Sequence, residues 1–335
     1  MQSAKFINTL VGEKKYLIDY ANLKHKLFFF QNNFLNKKEV FYYFKKKYFG
    51  IPILFPSKLK IFDYSNSKKY KISKTLLLKN IYHTTKNQYA PFIDYIKFGN
   101  EFVDFAKPKQ RYLFLVNKII TFNNKSIAKI KKIKRKFPNV CAFQTRNIPH
   151  YGHEKILDYL LSKYDHVVIN PLIGPKKKGD IRFEVLEKIY KFLLKKKYKK
   201  KISYIPFIAN MFYAGPQEAV HHANLRYSIG FNNFVVGRDH AGSENLYKPQ
   251  QAFLYVKKLQ KYLRINIEKI LGSYFCKICN KVVIKNNCSH VSLVDISGTE
   301  FRNCLKSKKL FNYADYKLQR FIFSLKKKNF CRLLI

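Results

Sequence analysis

Between residues 139 and 263 the chain alternates short apolar runs with amphipathic segments. The candidate buried strands are Val140–Phe143, His166–Ile169, 202–207 and Asn233–Val236. Apolar residues recur at helical spacing in the segments that separate or follow them, at 152–163, 181–200, 217–229 and 249–263. Strands and helices that alternate at this spacing predict a parallel sheet with helices on both faces. We therefore expect a Rossmann-like α/β domain.

The first 130 residues have a different pattern. Short apolar runs such as 51–55 and 111–116 are separated by Asn, Ser and Pro, which favours strands. We expect a mostly-β N-terminal domain over residues 1–130. The lysine-rich stretch 128–136 is typical of a solvated helix or linker and marks the domain boundary. The α/β domain is then expected over 131–305, followed by a short helical segment over 306–335.

The charge of the chain suggests one class of partner. Lys and Arg number 66 against 20 Asp and Glu, a formal net charge of +46, and such a surface attracts nucleic acids. Lysine outnumbers arginine 56 to 10, however, whereas proteins that read base sequence favour the bidentate guanidinium. The basic residues are also spread along most of the chain. We favour compositional drift toward AT-rich codons over specific nucleic-acid binding.

The sequence also bears on the compartment. No stretch of 18 or more residues is free of charge, which argues against a spanning helix. The first 20 residues lack the apolar core of a signal peptide. Six cysteines in 335 residues do not resemble a secreted disulfide scaffold. We expect a cytoplasmic protein with no membrane partner.

Two stretches without lysine, 137–154 and 202–247, are unusual in so lysine-rich a chain. Buried strands explain part of this absence. Burial does not explain the polar tetrapeptides QTRN at 144–147, HYGH at 150–153 and GRDH at 237–240. Polar segments that exclude lysine indicate a site in which an added ammonium group would be harmful.

The segment HYGH follows a predicted strand and opens a predicted helix. At that edge of a parallel sheet, free N–H groups of the helix N-terminus favour a phosphate. His150 and His153, either protonated or as neutral donors, would stabilise charge on a departing pyrophosphate, and Gly152 would allow close approach of a nucleotide. A two-histidine metal site is the alternative, but no HExxH pattern or neighbouring cysteine supports it.

A second candidate phosphate motif is ISGTEFR at 296–302. Ser297 or Thr299 would cap the following helix, Gly298 would allow close approach, and Arg302 would reach a phosphate oxygen. Taken alone, the ISGTEFR motif is more simply explained as the start of an ordinary capped helix. Together, HxGH upstream and SxTxxR downstream resemble the paired signature of the nucleotidyltransferase superfamily.

Within that superfamily, the sequence resembles the ATP sulfurylases, or sulfate adenylyltransferases. Besides ISGTEFR, the matching blocks are QTRN with HYGH, NPLIG at 170–174 with KGD at 178–180, YAGP at 213–216 with Glu218 and Ala219, and VGRDHAG at 236–242. They run in order from about 140 to 305. Residues 33–39 and 50–54 more faintly resemble the PUA-like N-terminal domain of that family.

The resemblance implies transfer of AMP from ATP to sulfate, giving adenylyl sulfate and pyrophosphate, with Mg²⁺ on the nucleotide. It implies that sulfate is held by Gln144, Arg146 and the backbone of Ala241. The residues expected to act in catalysis are Thr145, Arg146, Asn147, His150 and His153. Those expected to contact ATP are Arg146, Asn147, Ile148, Pro149, Gly237, Arg238, Asp239, His240, Ser297, Thr299 and Arg302.

Alternatives stay open at this point. A related adenylyltransferase with another acceptor would not need QTRN and GRDHAG, and a nucleic-acid-binding or inactive member of the fold is a further hypothesis. The direction of the reaction in the cell and assembly into a homo-oligomer are also open. Three departures from the family pattern affect turn geometry and charge: Pro149 is shifted by one position, Phe212 replaces a basic residue, and Gln217 replaces an arginine.

A separate group of residues has the spacing of a metal site. Cys276 and Cys279 form a CxxC pair, and Cys288 and His290 follow after eight residues. Three thiolates and one imidazole suit tetrahedral zinc, and a closed shell would make the zinc structural. Four unmetallated side chains are the alternative. Of the remaining histidines, the adjacent pair His221 and His222 is expected to lie on a helix surface or to pack, and not to bind a metal.

Overall fold

The computed structural model describes residues 2–176, 180–238, 240–243 and 245–329. The α-helices are α1 (Lys15–Lys24), α2 (Lys37–Lys45), α3 (Lys74–Ile81), α4 (Ala90–Tyr95), α5 (Leu113–Lys136), α6 (Tyr151–Leu161), α7 (Phe183–Lys197), α8 (Gly215–Ser228), α9 (Gln251–Lys258), α10 (Gly298–Lys306) and α11 (Tyr316–Asn329). Short 3₁₀ helices lie at Gln2–Thr9, Gly12–Lys14, Lys47–Phe49, Gln110–Tyr112, Gln260–Tyr262 and Lys285–Asn287.

The strands are short. They are β1 (Phe55–Pro56), β2 (Phe62–Asp63), β3 (Lys69–Lys71), β4 (Glu101–Val103), β5 (Lys107–Pro108), β6 (Val140–Phe143), β7 (His166–Ile169), β8 (Ile202–Tyr204), β9 (Asn233–Val236), β10 (Asn266–Lys269), β11 (Ser273–Cys276), β12 (Lys281–Ile284) and β13 (Leu293–Asp295). Four sheets result, in the orders β1-β4-β3, β2-β5, β10-β9-β6-β7-β8 and β12-β11-β13.

The predicted α/β class is confirmed. Strands β6, β7 and β8 are parallel neighbours, with Val140 opposite His166 and Val167 opposite Ile202. Every residue of β6 and β7 is buried, which explains why both strands read as continuous apolar runs. The carboxyl ends of these strands meet at one edge of the sheet, and the loop after β6 carries the QTRN segment.

The expectation of a mostly-β N-terminal region is wrong. Strands β1 to β5 have only two or three residues each, and α1 to α4 account for more of the chain there. Residues 111–116, predicted as a strand, form the end of a 3₁₀ turn and the first turn of α5. The buried residues of α5, including Leu115, Val116 and Ile119, recur at helical spacing, whereas a short apolar run alone fits either structure.

The described residues group into two compact units. Unit 1 consists of those within 1–132, 172–175 and 207–268, and unit 2 of those within 133–171, 176–206 and 269–335. The division into domains at 130 and 305 stays a prediction. Within unit 1, a cluster of aromatic rings includes Tyr82, Tyr89 and Phe92, all buried. Among the described residues, we find no helix with the length and apolar character required to cross a bilayer.

Candidate active site and metal centre

The loop after β6 is held in place by hydrogen bonds. The Asn147 N–H donates to Thr145 Oγ1 over 3.2 Å, which closes a tight turn inside the QTRN segment. The hydroxyl of Tyr190, a buried residue of α7, donates to the Asn147 carbonyl over 3.2 Å. Tyr190 was not among the residues predicted from sequence, because nothing in a helical apolar pattern distinguishes an anchoring tyrosine from a packing one.

Arg146 is oriented by an acidic partner. Its NH1 nitrogen lies 3.3 Å and 3.2 Å from the two carboxylate oxygens of Asp180. Asp180 is nearly buried, so this contact is poorly screened by water. The sequence placed Asp180 in a matching block without a role. The structure makes it the side chain that orients the guanidinium expected to bind sulfate.

The two candidate phosphate motifs come together within unit 2. Arg302 donates from NH1 to Asn147 Oδ1 over 3.3 Å and from NH2 to Thr299 Oγ1 over 2.9 Å. Ser297 caps α10 by accepting the Glu300 N–H over 3.2 Å, as predicted. The contact between Asn147 and Arg302 joins residues 155 positions apart. A capped helix without a ligand role does not require that contact.

The charge around these residues is positive. Burial lowers the pKa of Arg302, nearby Asp180 opposes that shift, and the second guanidinium at Arg146 adds to it. Two guanidinium groups close enough to perturb each other, with Asp180 beside both, favour a bound anion. This arrangement suits sulfate or a phosphate group.

The two histidines of HYGH lie at the start of α6, and both are buried. His150 is the N-cap, and its Nδ1 accepts the Gly152 N–H over 3.1 Å. That bond requires a bare Nδ1, so neutral His150 carries its proton on Nε2. Burial, together with neighbouring His153, lowers the pKa of His150 to about 2, and burial lowers the pKa of His153 to about 4. Of the two states considered from sequence, the neutral donor is therefore favoured.

Gly152 is needed for packing between these histidines. A Cβ at this position would overlap the Ser273 hydroxyl and lie 2.8 Å from Cε1 of His150. Side chains of the protein itself thus make the close approach that the sequence had assigned to a nucleotide. Ser273 begins β11, so α6 and the β11–β12 hairpin support each other.

Oε1 of Gln144 and Nδ1 of His153 are among the buried polar atoms that have no hydrogen-bond partner in the described structure. An unsatisfied buried polar atom costs roughly 1–3 kcal/mol, so such atoms often mark a ligand site. The Gln144 amide can rotate to present its NH₂ group, which would donate to an anion. Gln144 therefore fits the sulfate contact expected of it.

The blocks YAGP and GRDHAG meet inside unit 1. The Gly215 N–H donates to the Ala241 carbonyl over 3.2 Å, and Ala241 has a positive φ of 52°. Gly215 has a φ of 49°, and a Cβ there would overlap the ring of Tyr247.

The other predicted contact and motif residues differ in exposure. Gly237, Arg238 and His240 are partly exposed, whereas Asp239, Lys178 and Gly179 lie outside the described residues. Ile148 and Pro149 are buried.

Gln217 occupies a position where the family has arginine, and its side chain forms hydrogen bonds within unit 1. Its Nε2 donates to the carbonyls of Lys47 (2.8 Å) and Gly50 (2.6 Å), and its Oε1 accepts the Tyr255 hydroxyl over 2.8 Å. Phe212, the other replaced position, packs its ring against His221. Both departures from the family pattern therefore have packing roles in this chain.

The predicted metal ligands converge. The candidate ligand atoms of Cys276, Cys279, Cys288 and His290 all lie within 4.8 Å of one another. Nδ1 of His290 is 3.4, 3.2 and 3.7 Å from the three sulfur atoms in that order. Ligands of a tetrahedral zinc would be about 3.5–3.8 Å apart, given Zn–S near 2.3 Å and Zn–N near 2.0 Å. The donor set suits a four-coordinate metal, and the three distances from His290 Nδ1 lie near the spacing expected for zinc ligands.

Burial of His153 predicts a loss of stability in acid. The unfolded ring has a pKa near 6.5, whereas burial lowers the folded value to about 4. Between these values the unfolded chain holds the extra proton, so the contribution is complete above about pH 6.5 and is lost as the pH falls toward 4. We expect His153→Phe to reduce the slope of unfolding free energy against pH by up to about 1.4 kcal/mol per unit between pH 6 and 5.

Guanidinium titrations of both proteins at several pH values measure this slope. The buried histidines other than His150 have the same surroundings in both proteins, so their contributions cancel in the comparison. The pKa of His150 depends partly on His153, so the measured difference includes a small change at His150. Equal slopes for wild type and variant would contradict the neutral, buried state of His153.

Comparisons with known proteins show which family this chain resembles. A model of the ATP-sulfurylase family matches residues 123–312, more than half of the chain. The sulfate adenylyltransferase of Pyrococcus abyssi is 41% identical over 169 residues, which are 50% of this chain and 44% of that protein. The enzyme of the same name from Staphylothermus marinus is 40% identical over 176 residues, 52% of this chain and 46% of that protein. The chain thus matches somewhat less than half the length of these relatives.

A solved structure, the hexameric APS kinase from Thiobacillus denitrificans, aligns with a TM-score of 0.43 and 11% identity. The alignment covers 68% of this chain and 44% of that one. A likeness this low carries no argument about function.

Proposed function

Because this chain belongs to the ATP-sulfurylase family, we propose that it is a sulfate adenylyltransferase. The observation that carries the proposal is the convergence of Arg146, Asp180, Asn147 and Arg302. It joins the segment expected to bind sulfate to the motif expected to bind phosphate. Sulfate and the phosphates of ATP are both anions, so a reaction between them needs cationic groups that screen their repulsion.

In the proposed reaction, a sulfate oxygen attacks the α-phosphorus of ATP. The bond from that phosphorus to the oxygen bridging to the β-phosphate breaks, and its electron pair leaves with pyrophosphate. Sulfate arrives fully deprotonated, so no side chain has to act as a general base. The work of the protein is to position two anions and to stabilise the charge that moves onto pyrophosphate.

Each side chain has a role consistent with its contacts. Arg146, oriented by Asp180, and the Gln144 amide would hold sulfate. The family resemblance adds the backbone of Ala241 as a further sulfate contact. Neutral His150 and His153 would donate N–H groups to the phosphates. The residues proposed to contact ATP are Arg146, Asn147, Ile148, Pro149, Gly237, Arg238, Asp239, His240, Ser297, Thr299 and Arg302.

Magnesium would enter with the nucleotide. Among the described residues, the one group of three or more converging His, Cys, Asp or Glu ligands is the Cys/His cluster, whose soft donors do not suit Mg²⁺. We propose that ATP phosphates and water supply most of the magnesium ligands, and that the bound ion neutralises phosphate charge. The same site would serve the reverse reaction, which forms ATP from adenylyl sulfate and pyrophosphate.

The direct test is release of pyrophosphate from ATP by the purified protein, with and without sulfate. We expect release that depends on sulfate and is competed by molybdate or chromate, which mimic its shape and charge. Release that depends on another acceptor would indicate a related adenylyltransferase. If no acceptor supports release and the protein binds duplex DNA tightly at 0.2 M salt, the nucleic-acid hypothesis would replace this one.

We also propose that Cys276, Cys279, Cys288 and His290 hold one structural zinc ion. The Cys279 N–H donates to Cys276 Sγ over 3.3 Å, and this bond is the main reason that the pKa of the Cys276 thiol falls to about 6. Thiols kept reduced for zinc fit a cytoplasmic location, and no disulfide links the cysteines in the described part of the chain. The cluster lies on the β-hairpin that packs against α6.

We expect about one zinc per chain in protein purified without a His tag. Cys276→Ser should lower the melting temperature by about 5 °C or more, because each 1 kcal/mol moves the midpoint of a chain this size by about 2 °C. Activity should fall as well, since the hairpin carries Ser273 against Gly152. Cys304→Ser, in α10 and outside the cluster, is the matched control. A zinc content near zero by metal analysis would show that these four side chains do not form a zinc site.

For the N-terminal region, we propose a domain relationship and no individual residue roles. We propose that the domain over residues 1–130 is related to the PUA-like domain of the family, supported by the faint matches at 33–39 and 50–54. Its two small antiparallel sheets are consistent with that origin, although helices dominate the region in this chain.

A further inference from the structure

Helix α8 carries a row of ionisable side chains that are shielded from solvent. Glu218, His222 and Arg226 follow one another at intervals of four residues, so they lie on one face of the helix. All three have a relative exposure of 0%. Charged and polar side chains are rarely buried so completely unless they contact partners. None of the three was predicted from sequence to take part in the site.

The row continues into the GRDHAG turn through a contact between two imidazoles. Nδ1 of His222 lies 3.0 Å from Nε2 of His240. On the other side of the same ring, Nε2 of His222 lies 3.1 Å from Oε1 of Glu218, close but not aligned as a hydrogen bond. Glu218, His222 and His240 therefore form a continuous chain of contacts within unit 1, which we call the Glu–His–His chain.

The positions of the protons in this chain follow from the acceptors. Glu218 accepts the Phe212 N–H at Oε1 over 2.9 Å and the Ala214 N–H at Oε2 over 2.8 Å, so both oxygens act as acceptors. Burial raises the pKa of Glu218, and these two N–H bonds oppose that rise. In its ionised form, the carboxylate next to His222 Nε2 favours a proton on that nitrogen. With its one proton on Nε2, the His222 ring has an acceptor at Nδ1, and in this tautomer the 3.0 Å contact is a hydrogen bond donated by His240 Nε2.

We propose that Glu218 and His222 are positioning residues that fix the orientation and the Nε2–H tautomer of His240 in the nucleotide site. The inference rests on the proposed function, because only the family resemblance places His240 at ATP. In that tautomer Nδ1 of His240 is unprotonated, so it can accept a hydrogen bond but cannot donate one.

The adjacent His221, on the same helix, packs against aromatic rings. Its ring lies between those of Phe28 and Phe212, at centroid distances of 5.4 and 5.7 Å. His221 and His222 are both buried and neighbours in sequence, but only His222 is placed in the Glu–His–His chain. His221→Leu is therefore a matched control for His222→Leu.

The first test is the wild-type tautomer, read from ¹⁵N NMR of protein labelled at histidine, with the His240 signal assigned by its loss in His240→Gln. We expect the proton on Nε2 of His240. A proton on Nδ1 would overturn the proposal. This measurement requires neither ATP nor activity, so it is independent of whether the protein is a sulfate adenylyltransferase.

The second test uses variants and separates the two substrates. His222→Leu should raise the KM for ATP about tenfold, the worth of one ordinary hydrogen bond, and leave the KM for sulfate unchanged. His222→Asn keeps an oxygen acceptor near the position of Nδ1 and should restore most of the loss. An equal effect of His221→Leu, or no rescue by asparagine, would mean that His222 only packs. If His222→Leu does not fold, the His222→Asn protein and the wild-type tautomer decide the question.

Discussion

Arg146→Lys is expected to lower kcat/KM for sulfate by about 100- to 1000-fold while the fold is retained. A guanidinium offers several N–H donors in one plane, so Arg146 can contact both Asp180 and a sulfate oxygen at once. A lysine ammonium is a single point on a shorter, flexible stem, and Asp180 would draw it away from the substrate. The measurement is the initial rate of sulfate-dependent pyrophosphate release over a range of sulfate concentrations.

The matched control for this variant is Arg320→Lys. Arg320 lies on α11 and stacks over the ring of Tyr316, on an exposed face of the helix. We expect this variant to keep the wild-type rate. Arg146→Lys protein that melts like wild type and also keeps most of its activity would remove Arg146 from the sulfate pocket.

His153→Ala is expected to lower kcat about 100-fold and to change the KM for sulfate by less than about twofold. The ring is buried at the start of α6, its centroid is 4.2 Å from that of His150, and its Nδ1 has no partner in the described structure. A donor that meets the phosphates mainly when charge moves onto pyrophosphate stabilises the transition state more than bound substrate. Its loss should therefore appear in kcat.

A buried histidine at the other end of the sheet provides the control for His153→Ala. His166 begins β7, whereas the loop with the site residues follows the carboxyl end of β6, and the two strands are parallel. His166→Ala should lower stability without a specific loss of kcat. If His153→Ala instead raises only the KM for sulfate, its role would be in substrate binding and the assigned role would be wrong.

Local features of the sequence were enough to predict several parts of this protein. The apolar runs of β6 and β7 predicted buried parallel strands, and the polar QTRN segment was expected at the edge of that sheet. Ser297 or Thr299 was expected to cap the following helix, and Ser297 does so. The spacing of Cys276, Cys279, Cys288 and His290 predicted a cluster of candidate metal ligands, and these four side chains do converge. Each of these depends on residues close together in the chain, where spacing and side-chain chemistry are sufficient.

Long-range contacts were decided only by the tertiary structure. Residues 111–116 became part of a helix because the buried positions of α5 follow helical spacing, which a six-residue run does not reveal. Asp180 as the partner of Arg146, and Asn147 as the partner of Arg302, join side chains 34 and 155 positions apart. The neutral state of His150 and His153 follows from burial in the folded protein. The sequence by itself determined which chemical groups are available, whereas packing determined their neighbours and their charge, because pairing and desolvation depend on distances that exist only in the folded chain.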